Sequence, residues 1–265
     1  YTKEILEDPN SAEWNIDYLI PILKEVELGE NDYKAIKKKC DDLDIELIIT
    51  PFDNNSAYFC KNLGVAAFKV ASADMINFNL LSLLGSFDLP IIVSTGMWGE
   101  PEIKKAADYF KKQMPGSDVC MLLANSTYPT PYESINLGYL KRLKELHSIV
   151  GYSGHERGIF VPAAAVALGA SIVEKHITFD REQEGPDHKA SMLPEEFKEM
   201  VTNIRNLQMS LGEEKLINQA ELLARESFAK SAYAIQDLPA GHLLKSSDIV
   251  FKSPGKGIFP HEIEE

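Results

Sequence analysis

Ile149 to His176 reads IVGYSGHERGIFVPAAAVALGASIVEKH, and its pattern decides the fold. Two short apolar runs, Ile149–Tyr152 (IVGY) and Ser171–His176 (SIVEKH), flank a helical stretch, Ile159–Leu168. Gly169 follows that helix as a C-cap, where glycine tolerates the left-handed backbone that ends a helix. Each flanking run is too short for a helix, and near-continuous apolar strands are what a sheet covered on both faces requires. Strand, helix and strand together make one βαβ unit, which sets the two strands parallel. The first strand runs into His155 and the second ends on His176.

Moving toward the N-terminus, the same unit recurs. Strands are expected at Glu46–Thr50 (ELIIT), Ala67–Val70 (AFKV), Ile91–Ser94 (IIVS) and Val119–Ala124 (VCMLLA). Helical patterns occupy Asp32–Leu43, Pro101–Lys112 and Ile135–Leu146, the second with proline in its first turn and acids near its start. The expected fold is an α/β barrel of the (β/α)8 TIM type, which closes with eight strands. Six are visible, and a helix precedes the first of them, so two N-terminal strands are expected to lie outside this chain. An open doubly wound sheet is the alternative, weakened by the lack of a Gly-rich dinucleotide loop after any strand.

Toward the C-terminus the pattern changes after Leu211. The barrel domain is expected over residues 1–211 and a linker helix within 212–226, centred on Leu216–Ala224. A small β-rich module follows over 227–265, with the strand SAYAI from Ser231, the PAGH turn and a second apolar pair. About 35 residues bury too little to stand alone, so this module is expected to be partial or docked.

The chain has 265 residues, 45% hydrophobic and 25% charged, with net charge −13. That acidity argues against a nucleic-acid partner, which calls for a basic face. It leaves room for an anionic substrate, because local lysines and backbone N–H groups override a global field. No run reaches the ~18 apolar residues of a membrane span, and Tyr1–Ser11 is too polar for a signal peptide. Three cysteines, Cys40, Cys60 and Cys120, lack metal spacing and are expected to be reduced packing residues.

In parallel barrels the chemistry sits at the carboxyl ends of the strands. Every strand end here carries polar groups: Thr50; Lys69, Ser72, Asp74 and Asn77; Ser94 and Thr95; Asn125, Ser126 and Tyr128; Ser153 and His155; Glu174, Lys175 and His176. Adjacent parallel strands lie ~4.8 Å apart, so His155 and His176 at matching heights can share one divalent ion. The other possibility, two polar core or capping histidines, is disfavoured by the matched strand ends. Lys69 interrupts an apolar strand, and a buried amine calls for an anion. With hydroxyls of Thr50, Ser72, Ser94, Ser126 and Ser153 around the same mouth, it makes a candidate phosphate cradle. Asp187, in EGPDHKAS, is a candidate to orient a sugar hydroxyl or accept a proton. His188 is read as structural, and His147, His242 and His261 receive no role.

With these residues placed, FKVASADMINFNLL, IIVSTGM, STYPTPYESINL, GYSGHERG and VALGASIVEKHITFD with GPDHKASM together resemble the sialic acid synthase family. The likeness is dense from Ile45 to Val201. It continues into RESFAKSAYAIQDLPAGHLL and SPGKGIFP, which resemble the start of an antifreeze-like (SAF) domain. The resemblance implies a cytoplasmic enzyme of surface or spore-coat polysaccharide synthesis. Such an enzyme condenses phosphoenolpyruvate with an N-acetyl amino sugar, giving a nine-carbon 2-keto acid and phosphate. It implies a divalent metal, Mn2+ or Mg2+, on His155 and His176, and phosphoenolpyruvate-binding roles for Lys69, Thr50, Ser72, Ser94, Ser126 and Ser153. Asp74 falls where the family commonly has a glutamate beside the substrate, and Tyr128 and Asp187 fall at sugar-contacting positions. Phe228 matches an aromatic that reaches the neighbouring subunit's site, which implies a domain-swapped homodimer. Gly154 stands where the family usually has aspartate, a loss expected to weaken metal binding. Two alternatives remain open: a catalytically weak homologue acting as a carbohydrate-binding or coat-assembly protein, and another phosphoenolpyruvate-dependent aldol-type synthase.

Overall fold

Local signals start and stop the helices that separate the strands. Asp53 caps one helix by accepting hydrogen bonds from the N–H groups of Asn55 (2.8 Å) and Ser56 (3.0 Å), and Gly64, at φ 81°, ends it. Another begins with Pro101 in its first turn, carries Glu100 and Glu102 at its start, and has Lys111 and Lys112 at its end, as the helix dipole favours. The computed structural model describes residues 23–185 and 187–263, so Tyr1–Ser11 and the Pro186 of the GPDHKASM motif lie outside the described residues. The chain divides between Leu211 and Gly212 into two compact units.

The first unit alternates helix and strand: α1 (Glu30–Asp42), β1 (Ile48–Ile49), α2 (Asn54–Leu63), β2 (Ala67–Val70), α3 (Phe78–Gly85), β3 (Ile91–Ser94) and α4 (Glu100–Gln113). It continues with β4 (Val119–Ala124), α5 (Tyr139–Leu146), β5 (Val150–Gly154), α6 (Phe160–Ala167), β6 (Ile172–Lys175) and α7 (Pro194–Ser210). The six strands pair in parallel in the order β1-β2-β3-β4-β5-β6. Consecutive order without a reversal is that of a barrel wall and rules out the doubly wound arrangement. The helix expected from Ile135 begins only at Tyr139, because Asn136 takes a left-handed backbone, φ 52°, that a continuous helix excludes.

Parity separates the two faces of the sheet. Phe68, Val70, Ile91, Val93, Met121 and Val150 pack under the helices in the main core. Ile92, Cys120 and Leu122, with Ile172, form a separate apolar cluster on the other face. Lys69 and Glu174 share that second face, and they reveal its shape. Strands β2 and β6 are four ladder steps apart, ~19 Å on a flat sheet at ~4.8 Å per step. Lys69 Nζ nonetheless lies 3.6 Å from Glu174 Oε2. The sheet therefore curls into a half-barrel with these side chains inside.

The second unit contains α8 (Gln219–Phe228) and an antiparallel pair, β7 (Ser231–Ala234) and β8 (Ile249–Lys252). Helix α8 starts later than Leu216 because Asn218 is its cap, the side chain accepting from the Glu221 N–H at 2.9 Å. Among the described residues no helix is long and apolar enough to cross a membrane.

Inside the curl, Gly151 has no room for a side chain: a Cβ would lie 2.4 Å from Leu122 Cδ2 and 2.6 Å from the Ile172 carbonyl oxygen. Leu122 can shift but the backbone oxygen cannot. Gly151→Ala is expected to lower stability by about 1–3 kcal/mol in urea unfolding. Adding Leu122→Ala should fail to restore it; full restoration would show that the side chain, not the sheet backbone, sets the limit.

Candidate active site

The interior-facing residues at the strand ends converge on a cavity of about 390 Å³, within the usual range for small-molecule sites. Lys69, Ser72, Ser94, Ser126, Tyr128, Ser153, His155 and His176 line it, together with Glu174, Phe52 and Met97. Eight of the residues expected from sequence are thus brought together.

Lys69 is held before any ligand arrives. Its amine donates to Ser94 Oγ (2.8 Å) and to the Val70 carbonyl (3.1 Å), with Glu174 at 3.6 Å. Burial pushes the Lys69 pKa down, and the Glu174 charge opposes that shift. Ser153 donates to Glu174 Oε1 at 2.7 Å. Ser72 accepts from the Gly96 N–H at 3.0 Å. A Cβ on Gly96 would lie 2.3 Å from Ser126 Oγ and 2.8 Å from Ser72 Oγ, so the glycine lets the two hydroxyls approach one amide. An amine and four hydroxyls on one wall suit an anion such as phosphate.

The opposite wall is imidazole. His155 Nδ1 donates to the Asn125 carbonyl at 2.6 Å, and the Thr130 N–H donates to the His155 carbonyl at 3.1 Å. The loop after β4 thereby clasps His155 and leaves its Nε2 lone pair unprotonated. Burial, the largest cause, lowers the His155 pKa to about 4; the bond to Asn125 opposes it, and His176, Lys175 and Lys69 add to it. The His155 and His176 rings are 5.2 Å apart, and the Tyr128 ring packs 4.1 Å from His155 and 5.6 Å from His176. Burial, with Asp187 and Glu174 nearby, pushes the Tyr128 phenol up to about 12. Two imidazoles whose ring centroids lie 5.2 Å apart are a fitting donor pair for a first-row divalent ion. Among the described residues no group of three or more His, Cys, Asp and Glu side chains gathers to hold a metal. His155 and His176 are the residues here that would hold such an ion.

Four expected residues stand elsewhere. Thr50 follows the two-residue β1 and does not line the cavity. Asp74 is absent from the lining as well: it ends the 3-10 turn Ser72–Asp74 and accepts from Asn77 Nδ2 at 2.9 Å. A turn with three residues per rotation cannot aim both Ser72 and Asp74 inward. Asp187 is not in the lining; its Oδ2 lies 3.8 Å from His176 Nδ1, and its buried Oδ1 has no hydrogen-bond partner. The Met192 N–H donating to the His176 carbonyl (2.9 Å) holds this loop beside β6. Phe228 belongs to the second unit, at the end of α8, and is 79% exposed.

Glu174 is the residue that sequence reasoning left without a role. It is the one carboxylate among the described residues lining the cavity. Its shared parity with Ile172 and His176 on one strand was the signal available. His188 bonds Thr178 Oγ1 (2.8 Å) outside the cavity, and His147 contacts the Val119 carbonyl (2.7 Å). Cys60 and Cys120 pack in the core, where burial raises the Cys120 thiol to about 12.

Half-barrel and pocket define a class: an α/β protein that places an anion cradle beside an imidazole pair at the carboxyl ends of parallel strands. Residues 2–216 match the NeuB family, and the chain belongs to that family, the one its motifs resemble. It is 39% identical over 239 residues to an uncharacterized protein of Methanocaldococcus jannaschii, covering 89% of this chain and 71% of that one. It is 38% identical over 259 residues to the N,N'-diacetyllegionaminic acid synthase of Legionella pneumophila, covering 96% and 72%. The crystal structure of the N-acetylneuraminic acid (sialic acid) synthetase of Leptospira borgpetersenii, in complex with citrate, superposes with TM-score 0.72 at 32% identity, over 81% of this chain and 75% of that chain.

The buried His155 predicts a pH dependence. In the native protein it stays neutral down to about pH 4, whereas an unfolded-chain imidazole protonates near 6.5. Between those values the unfolded state binds the extra proton, so stability is full above pH 6.5 and falls as pH drops toward 4. The loss over that window is on the order of 3 kcal/mol. Urea unfolding of metal-free protein should show this slope, and His155→Gln should reduce it; an unchanged slope in the variant would refute the assignment.

Proposed function

We propose that this chain condenses phosphoenolpyruvate with an N-acetyl amino sugar to form a sialic-acid-type nine-carbon 2-keto acid and phosphate. The observation that carries the proposal is one cavity holding an amine-and-hydroxyl cradle beside two imidazoles. Membership of the NeuB family, and relatives named as legionaminic acid and sialic acid synthases, support it.

Lys69, Ser72, Ser94 and Ser126 bind the phosphate and carboxylate of phosphoenolpyruvate and fix carbon 3 toward the imidazole wall. His155 and His176 would hold a divalent ion, Mn2+ or Mg2+, which supplies Lewis-acid polarisation of the open-chain sugar aldehyde. The carbon 2–carbon 3 π electrons form the new bond to the aldehyde carbon as the aldehyde π pair moves to its oxygen, which becomes a hydroxyl with the proton that water releases in the next step. Water then adds at carbon 2, and Glu174, oriented by Ser153, takes its proton. The resulting tetrahedral carbon re-forms a carbonyl as its hydroxyl gives up its proton to the departing phosphate and its bond to the phosphate oxygen breaks. Phosphate leaves with that electron pair, stabilised by the Lys69 amine. Tyr128, packed against His155 at a tilt, offers its ring face to the sugar.

The complete protein is further proposed to close the barrel with two more strands and to continue the second unit into an SAF module. In a domain-swapped homodimer the exposed Phe228 would reach a partner's sugar site. The soluble synthase is proposed to work in the cytoplasm, on surface or spore-coat polysaccharide precursors.

Full-length protein with Mn2+ should release phosphate from phosphoenolpyruvate only when an N-acetylated amino sugar is present. No release across a panel of N-acetylmannosamine, its 6-phosphate and diacetamido 6-deoxy sugars would reject the proposal. Lys69→Met should raise the KM for phosphoenolpyruvate about 10–100-fold through the loss of a charged hydrogen bond. Mn2+ binding, measured directly, should be retained.

A further inference from the structure

Behind the two histidines, on the side of the sheet turned from the cavity, lies an ion pair that the chemistry above does not use. Glu156 follows His155 in sequence and Lys175 precedes His176. Lys175 Nζ is 3.2 Å from Glu156 Oε1 and donates to the Glu156 backbone carbonyl at 2.6 Å. Tyr152 donates to Glu156 Oε2 at 2.6 Å. Both charged side chains are 0% exposed. Burying such a pair is costly, and an apolar pair of similar volume is often as stable, so stability alone gives a weak account of it.

Its position gives a better one. The last registered pair of the β5–β6 ladder is Gly154 with Lys175. One residue further on, where His155 and His176 stand, no ladder pairing holds the two chains together. The Lys175 amine bridges that gap by bonding both the side chain and the backbone of residue 156. Gly154 makes the arrangement possible: a Cβ there would lie 2.6 Å from Glu156 Oε2 and 2.6 Å from Tyr152 Cε1. The carboxylate of Glu156 thus occupies the space that a side chain on residue 154 would take.

We propose that Glu156 is a positioning residue: with Lys175 and Tyr152 it clips together the two strand ends that present His155 and His176, fixing the separation and orientation of the imidazoles. The clip replaces the carboxylate that Gly154 lacks. This inference rests on the reading of the histidine pair as the metal site, and its test is built to separate the two.

Glu156→Gln alone leaves an unpaired buried lysine and risks misfolding, so the test uses Glu156→Gln/Lys175→Met, which removes both charges. Folding is checked by urea unfolding and circular dichroism. In metal-free wild-type protein the 15N spectrum of the imidazoles should show His155 as a single Nδ1–H tautomer. In the folded double variant a second set of imidazole signals should appear, and the Mn2+ dissociation constant should rise about 10–100-fold. The kcat should fall with little change in the KM for phosphoenolpyruvate. Gly154→Asp/Glu156→Ala, which sends a carboxylate into the same space from residue 154, should recover much of the Mn2+ affinity. A double variant that folds with the wild-type imidazole spectrum and Mn2+ affinity would overturn the proposal. If wild-type protein binds no Mn2+, the metal reading fails, while the imidazole spectra still decide whether the clip positions the rings.

Discussion

The contact between Lys69 and Glu174 is the constraint on which the rest of the site depends. It joins the second and sixth strands across the inside of the sheet, and only a curled sheet allows it. Once the sheet curls, the carboxyl ends of β2 to β6 face one another and their loops share a mouth. Below that mouth the interior is apolar, with Ile92, Cys120, Leu122 and Ile172 packed around the side-chain-free Gly151. Above it the interior is polar, with Lys69, Ser94, Ser153 and Glu174 bonded to each other. An apolar floor keeps the local dielectric low, which strengthens each polar contact above it. The Lys69 amine is already oriented by its bonds to Ser94 and Val70, so an anion bound there would not have to order it.

Most of the wall was legible in the sequence because a sheet covered on both faces leaves little choice of residue. Ala67–Val70, Ile91–Ser94 and Val119–Ala124 form strands at the bounds their apolar runs predict. Lys69 was conspicuous for the same reason, as a lone charge in such a run. Helices α2, α3 and α7 were not read, because their limits are set by caps such as Asp53 and Asn77 more than by apolar periodicity. Thr50 and Asp74 were placed in the cavity by proximity in sequence. Neither is in its lining, and the 3-10 turn that holds Asp74 does not show in residue type. Glu174 was visible as a polar strand-end residue but not as the partner of Lys69, since that pairing crosses four ladder steps.

Gly154 marks the limit of reading one position at a time. Against the motif it is a missing carboxylate. In three dimensions the space beside it holds the carboxylate of Glu156, two residues on. A carboxylate absent from one position can thus be supplied from another two residues along the chain.

The same parity that builds the cavity also builds its support. On β6, Glu174 and the following His176 turn inward while Lys175, between them, turns outward into a closed environment with Glu156. Functional and supporting residues therefore alternate on one strand end, each fixed by a neighbour on β5 or just beyond it: Ser153 for Glu174, Glu156 for Lys175. Coupling of this kind makes the site stiff. A displacement of β6 along β5 by one residue would move Lys175 inward and both Glu174 and His176 outward. It would strand a buried charge on each face, so the register that keeps those charges paired also keeps the two imidazoles together.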